Sequence, residues 1–310
     1  MENPEHTVKI SSGNLHYWVY NANKPKIILM IHGFTGDHHG FVKIIPLLKD
    51  YRVIVPDLPG FGKSSLQKRS DWDMDSIARL TNEFVMTLKL ATPPPIFGHS
   101  MGGIVVASMI RQAPALYANK IIMLSPVPNK VTLADKRFVG AKLNELRFAI
   151  GHKLPAVGNR IIKSRRFTER LASLLITSKD PNTIQFVYDQ MHSDTTRISS
   201  LQYYHVIQKE INRHGAIDYA NDLRKKDLLI ISGDCDIAIP QKYITQLAHH
   251  AKANLKIIHG LGHLAPYERA GDIADSIISF IEHNQTQQTV PSTNTALNEQ
   301  PALAPLSTLQ

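Results

Sequence analysis

Gly98-His99-Ser100-Met101-Gly102 is the stretch on which the reading of this chain turns. It sets a serine between two glycines, directly after the apolar Pro95-Ile96-Phe97 and directly before residues 103–113, whose apolar pattern reads as a mostly buried helix. A serine on a tight turn between strand and helix points its hydroxyl into a cleft. Such a turn is strained and needs small neighbours two residues away on either side, which Gly98 and Gly102 supply. Pro114 then stops the helix. An ordinary strand-to-helix turn would ask nothing of the rest of the chain, whereas a nucleophile requires partners further along.

Working outward, residues 7–10 and 15–20 read as two strands joined by the hairpin signal Ser11-Ser12-Gly13-Asn14. Alternation follows: strands over 26–31, 51–55, 94–97 and 120–124, with helices over 37–48 and 75–90 between the earlier ones. After a long helical stretch it resumes with strand 227–231, helix 241–251, strand 255–258 and helix 270–282. Such alternation implies an α/β fold, a mostly parallel central sheet flanked by helices, with active residues in loops at the carboxyl ends of strands. Residues 127–214 contain no convincing strand and several helix-period segments, such as 136–150 and 160–177, so they are expected to form an α-helical cap inserted into a core of 1–126 and 215–283. Residues 284–310 are dominated by Gln, Thr, Asn, Pro and Ala and read as a disordered tail.

With 310 residues and 43% hydrophobic content the chain can bury a full core. No run approaches the length of a membrane span, and Met1-Glu2-Asn3-Pro4-Glu5-His6 is acidic and polar, so a soluble cytoplasmic protein is expected. The single cysteine, Cys235, excludes an intrachain disulfide and a multi-cysteine metal site. The net charge of +9 invites a nucleic-acid reading, but it is concentrated. Residues 126–215 hold fifteen Lys and Arg against seven Asp and Glu, and no nucleic-acid module accompanies them. The excess reads as a solvated helical surface, so neither nucleic-acid binding nor membrane association is expected.

A serine hydroxyl becomes a nucleophile only when a base takes its proton, and the base needs an acid to fix its tautomer. The strand at 228–231 runs into Ser232-Gly233-Asp234-Cys235-Asp236-Ile237-Ala238-Ile239-Pro240, and the strand at 255–258 into His259-Gly260-Leu261-Gly262-His263-Leu264. The order is Ser, Asp, His. Together with the serine turn, these segments resemble the α/β-hydrolase fold family over residues 7 to 283. The resemblance implies Asp236 as the acid, four residues before Pro240, with Asp234 the alternative. Leu124-Ser125-Pro126, where some members place the acid, offers no carboxylate. His263 matches the family's histidine in its Gly-x-Gly-His setting, and Glu268 falls where members often carry a structural acid. The oxyanion of the transition state needs backbone donors. Met101, following the nucleophile, offers one N–H, and His32-Gly33-Phe34-Thr35-Gly36 resembles the family's oxyanion loop, which assigns the second to Phe34 and a bracing role to His32.

Other signals are weaker. Gly62-Lys63-Ser64 imitates the end of a phosphate loop, but the motif's first glycine would fall on Asp57; the segment is similar instead to the family's Asp-x-x-Gly-x-Gly-x-Ser turn. His38-His39 and His249-His250 do not face one ligand point as helical neighbours, so no metal and no cofactor are expected. Cys235 reads as a small buried residue. Within the family, haloalkane dehalogenases and epoxide hydrolases use Asp where Ser100 stands. Carbon–carbon hydrolases often carry Trp where Leu264 follows the histidine, and proline aminopeptidases carry Trp in place of Met101. The resemblance therefore points to a carboxylesterase or monoglyceride-lipase-like enzyme acting on a small-molecule ester. Carbon–carbon hydrolysis, thioester or lactone cleavage, and a non-catalytic ligand-binding role are the alternatives.

Overall fold

The computed structural model describes residues 4–133, 135 and 137–283. The segment read as a disordered tail lies outside the described residues. Strands β1 (Glu5–Ile10) and β2 (Gly13–Tyr20) form the expected hairpin, followed by β3 (Lys26–Ile31) and β4 (Tyr51–Pro56). Helix α1 (Met74–Thr87) leads to β5 (Ile96–His99), α2 (Met101–Gln112) and β6 (Lys120–Leu124). Five helices come next: α3 (Phe138–Lys153), α4 (Pro155–Ile162), α5 (Arg165–Leu175), α6 (Pro181–Thr196) and α7 (Leu201–Arg213). The short α8 (Ala220–Leu223), β7 (Asp227–Gly233), α9 (Gln241–Ala251), β8 (Asn254–Ile258), α10 (Ala265–Glu268) and α11 (Ala270–Glu282) complete the described chain.

The eight strands form one sheet in the order β1-β2-β4-β3-β5-β6-β7-β8, antiparallel at β1/β2 and β2/β4 and parallel from β4 onward. Its central strands are apolar on both faces, because helices cover both. Side chains of a strand alternate between faces. Leu29, Ile31, Ile96, Ile121, Met123 and Ile230 accordingly join the cluster under α1, α2 and α9, while Ile28, Met30, Phe97, Ile122 and Leu229 join the one under α11. Parallel pairing carries β3, β5, β6, β7 and β8 to a common carboxyl edge, where their loops meet.

Three local expectations are corrected. The helix read over 37–48 is two 3-10 turns, His38–Phe41 and Ile45–Leu47. Asp37 caps the first, and Pro46, lacking an N–H, prevents the two from fusing. The helix read over 160–177 breaks at Lys163 and Ser164 between α4 and α5. The helix after Ser100 begins at Met101 rather than Gly103.

Two glycines let α2 approach the sheet. A Cβ on Gly102 would stand 2.7 Å from the His32 carbonyl oxygen and closer still to that of Ile31, and one on Gly98 would stand 2.7 Å from the Gly102 carbonyl oxygen. Gly102→Ala is therefore expected to force α2 off β3 and to cost about 1–3 kcal/mol, as overpacked cores do. The chemical-denaturation midpoint reads this directly, and an unchanged midpoint would contradict the close approach.

Candidate active site

Ser100 stands between β5 and α2 with φ 54° and ψ −118°, a conformation unusual for a residue with a side chain. Its N–H donates to the Leu124 carbonyl oxygen at 3.0 Å and holds the turn against β6. Its Oγ lies 3.0 Å from His263 Nε2, and His263 Nδ1 lies 2.8 Å from Asp236 Oδ2. The other Asp236 oxygen accepts the N–H groups of Ala238 at 3.0 Å and Ile239 at 2.9 Å. Nδ1–H donating to the carboxylate leaves Nε2 free to accept the serine proton. The loops after β5, β7 and β8 thus supply one member each.

Burial alone would raise the Asp236 pKa, but the charge and hydrogen bond of His263 and the Ile239 N–H hold it below the ordinary value. Burial works against the His263 imidazolium, and the charge and hydrogen bond of Asp236 outweigh it, so its pKa lies above the ordinary 6.5. Asp234 points elsewhere: it accepts from the Gly260 N–H at 2.7 Å and pairs with His259 on the surface. Cys235, read as buried, is exposed, because the loop turns Asp236 inward and its neighbour outward.

Met101 opens α2, so its N–H is among those at a helix start with no intrahelical acceptor. Phe34 follows Gly33, where a Cβ would stand 3.2 Å from Ser100 Cβ, so the loop after β3 lies directly against the serine turn. His32 braces that loop. The Leu58 N–H donates to its Nε2 at 2.9 Å, which leaves Nδ1 protonated and donating to the Gly33 carbonyl oxygen at 2.8 Å. The buried Asp57 carboxylate accepts the His38 N–H at 2.9 Å and the Lys63 N–H at 2.8 Å, so it closes the Asp57–Ser64 turn and ties it to the segment after β3.

His38 and His39 do converge with Asp37, against the sequence expectation. One nitrogen of each ring is already engaged, His38 Nδ1 with Asp57 at 2.9 Å and His39 Nδ1 with Asp37 at 2.8 Å. The Arg197 guanidinium, 2.5 Å from Asp37, already supplies a positive charge to that carboxylate.

Sequence reasoning missed His99. Its Nε2 lies 3.3 Å from the His263 carbonyl oxygen, and burial beside His263 pulls its pKa down to about 3. Neutral, it can donate there and tie the serine turn to the histidine loop. Also missed were the contacts that join α3–α7 to the sheet loops. Arg197 bridges Asp37 and Asp194, the Tyr203 hydroxyl donates to the Pro59 carbonyl oxygen at 2.7 Å, and Phe148 packs on Phe34. Glu268 accepts from the Thr177 and Ser178 N–H groups at 2.8 and 2.5 Å. No spacing signals partners that lie tens of residues apart.

A model of the alpha/beta hydrolase fold matches residues 26–270. The chain belongs to the alpha/beta hydrolase fold family. "Uncharacterized hydrolase YugF" of Bacillus subtilis (strain 168) is 26% identical over 283 residues, 87% of this chain and 94% of the relative. "Lipase 3" of Moraxella sp. (strain TA144) is 32% identical over 109 residues, 35% of each chain. A solved structure, the bromoperoxidase from Bacillus anthracis, shares the fold with a TM-score of 0.73 at 19% identity, covering 90% of this chain and 100% of that one. In this family member the histidine titration is a direct test of the geometry. By NMR, His263 should titrate above 6.5, and Asp236→Asn should move it to lower pH, since the cation loses its counter-charge while burial remains. An unmoved titration would contradict the pairing.

Proposed function

We propose that this chain is a serine hydrolase that cleaves a small or medium carboxylic ester through an acyl-enzyme. The observation that carries the reading is the continuous hydrogen-bonded path from Ser100 Oγ through His263 to Asp236, at 3.0 and 2.8 Å. In the first half-reaction His263 Nε2 takes the Ser100 proton as Oγ bonds to the ester carbonyl carbon. The oxyanion is received by the Phe34 and Met101 N–H groups. As the tetrahedral species collapses, the carbon–oxygen bond to the alcohol breaks and His263 returns its proton to the leaving oxygen. Water then repeats the sequence in reverse and releases the acid.

Asp236 remains ionised throughout and stabilises the imidazolium, in keeping with a pKa held below the ordinary carboxylate value. The helices spanning residues 138–213 serve as a cap, and residues 127–214 form the inserted unit. Phe148 of α3 and Tyr204 of α7 pack on Phe34, so the cap touches the loop that receives the oxyanion and shapes the acyl or alcohol subsite beside it. The likeness to a lipase supports the ester direction, and the serine nucleophile separates the chain from members that attack with Asp.

A fluorophosphonate probe should label the wild-type protein and fail to label Ser100→Ala, read by intact mass. The same substitution should lower nitrophenyl-ester turnover by about 10⁴-fold or more, as loss of a triad nucleophile does elsewhere. The base must be neutral to act, so the rate should rise with pH through the His263 pKa, placing the acid limb above 6.5. An unlabelled wild type would overturn the reading.

A further inference from the structure

Helix α3 has one face packed on α7 and on the loop after β3, and a second, apolar face that nothing covers among the described residues. On α3, Phe148 points inward and packs on Phe34 and Tyr204. On the opposite side, Val139, Leu143, Leu146 and Ile150 recur at helical spacing. At 3.6 residues per turn they fall within about 60° of one another, roughly half a turn from Phe148. All four are exposed, between 43 and 66%. The stripe continues on α4, where Val157 and Ile161 are exposed one turn apart while Gly158 and Ile162 are buried beneath them. The two helices are held close where Gly158 meets Gly151, a contact with no room for a Cβ. A helix apolar on both faces ordinarily has both faces covered.

The segment that carries the stripe is rich in cations. Residues 138–166 hold seven Lys and Arg against one Glu. Lys142, paired with Glu145 at 2.9 Å, and Lys153 flank the stripe on α3, and Arg160 stands beside Ile161 on α4. Lys153 and Arg160 are exposed and have no carboxylate partner among the described residues. A protein-docking surface concentrates aromatic residues and sheds lysine, whereas this stripe is aliphatic with lysine at its edge. Aliphatic side chains on one face with cations along the rim are the composition of a helix lying in a lipid–water interface. No helix among the described residues is long and apolar enough to cross a membrane, so the contact is peripheral.

We propose that the exposed face of α3 and α4 docks on an anionic phospholipid surface, with the aliphatic stripe entering the headgroup boundary and Lys153 and Arg160 meeting lipid phosphates. The basic excess, which composition alone read as a solvated surface, acquires a partner only because the apolar stripe lies beside it. The docking rests on this surface and not on the ester reading. Should both hold, the same helix that touches lipid would reach the Phe34 loop through Phe148, and the site would face its ester at the membrane.

The test uses the Ser100→Ala protein, which leaves the lipid intact whatever the enzyme's substrate. It is sedimented with vesicles of phosphatidylcholine alone and of an equimolar mixture with phosphatidylglycerol, at low and high salt. Binding to the mixed vesicles should exceed that to neutral ones by about tenfold or more and should weaken at high salt. Lys153→Glu and Arg160→Glu should each weaken it about fivefold or more. Leu143→Glu with Leu146→Glu should weaken it on the order of tenfold, with the unfolding midpoint confirming that these exposed positions leave the fold intact. Absent binding, or binding indifferent to lipid charge and to both sets of substitutions, would overturn the proposal. A concentration-dependent dimer dissolved by the double leucine substitution would assign the face to a second copy instead. A monomer that ignores vesicles would leave it to an acidic protein.

Discussion

Ser100 is held at a positive φ, a conformation that costs on the order of 1–3 kcal/mol and survives only where its surroundings over-determine it. Those surroundings are specific. Its N–H is taken by Leu124 of β6, and Gly98 and Gly102 let α2 press against the carbonyl oxygens of Ile31 and His32. The same approach brings the loop after β3 against the serine. The elbow is therefore a three-strand junction, and its strain is borne by the parallel pairing of β3, β5 and β6 rather than by the loop itself.

From that junction the polar chemistry follows by alignment. Parallel strands end at one edge, so the loops after β5, β7 and β8 converge there without any long-range signal between them. The Asp236 carboxylate, desolvated but fed by two backbone N–H groups and the imidazole, is in an environment that keeps it charged. His99 beneath the site takes the opposite course: burial keeps it neutral, suited to donate a hydrogen bond and unsuited to add charge. Two histidines whose rings lie 5.4 Å apart thus shift in opposite directions: burial and the neighbouring imidazole lower His99, while contact with Asp236 raises His263 against its burial. The ionic group outside the site is arranged in the same economical way. Asp194, pushed up to about 7 by burial and the charge of Asp37, shares Arg197 with it and joins α6 to the loop after β3.

Much of this was legible in the chain. Helices 241–251 and 270–282 and the strand 120–124 fall where their apolar periods place them, because each is a regular element whose pattern matches its burial. The serine turn was legible for a related reason, since Gly98-x-Ser100-x-Gly102 is a local answer to a steric demand, whereas the roles of the loops at 232–240 and 259–264 were read through their resemblance to the family. Misreadings cluster where tertiary context prevails. The 37–48 segment has helical periodicity, yet Pro46 and the pull of Asp57 on His38 divide it into short turns. Cys235 is small and flanked by acids, and only the direction of the Asp236 side chain decides that it faces outward.

By itself, the sequence determined the alternation of strands and helices and the residue types available for chemistry, since periodicity and turn sterics act over a few residues. Only the tertiary structure decided that Asp236 rather than Asp234 meets His263. It also decided that His99 touches the histidine loop, and that α3 buries Phe148 while leaving Val139, Leu143, Leu146 and Ile150 uncovered. Those outcomes depend on which surface a side chain meets from a segment far away in the chain. An apolar residue carries the same period whether its face is covered or not, and a carboxylate the same charge whichever histidine it finds.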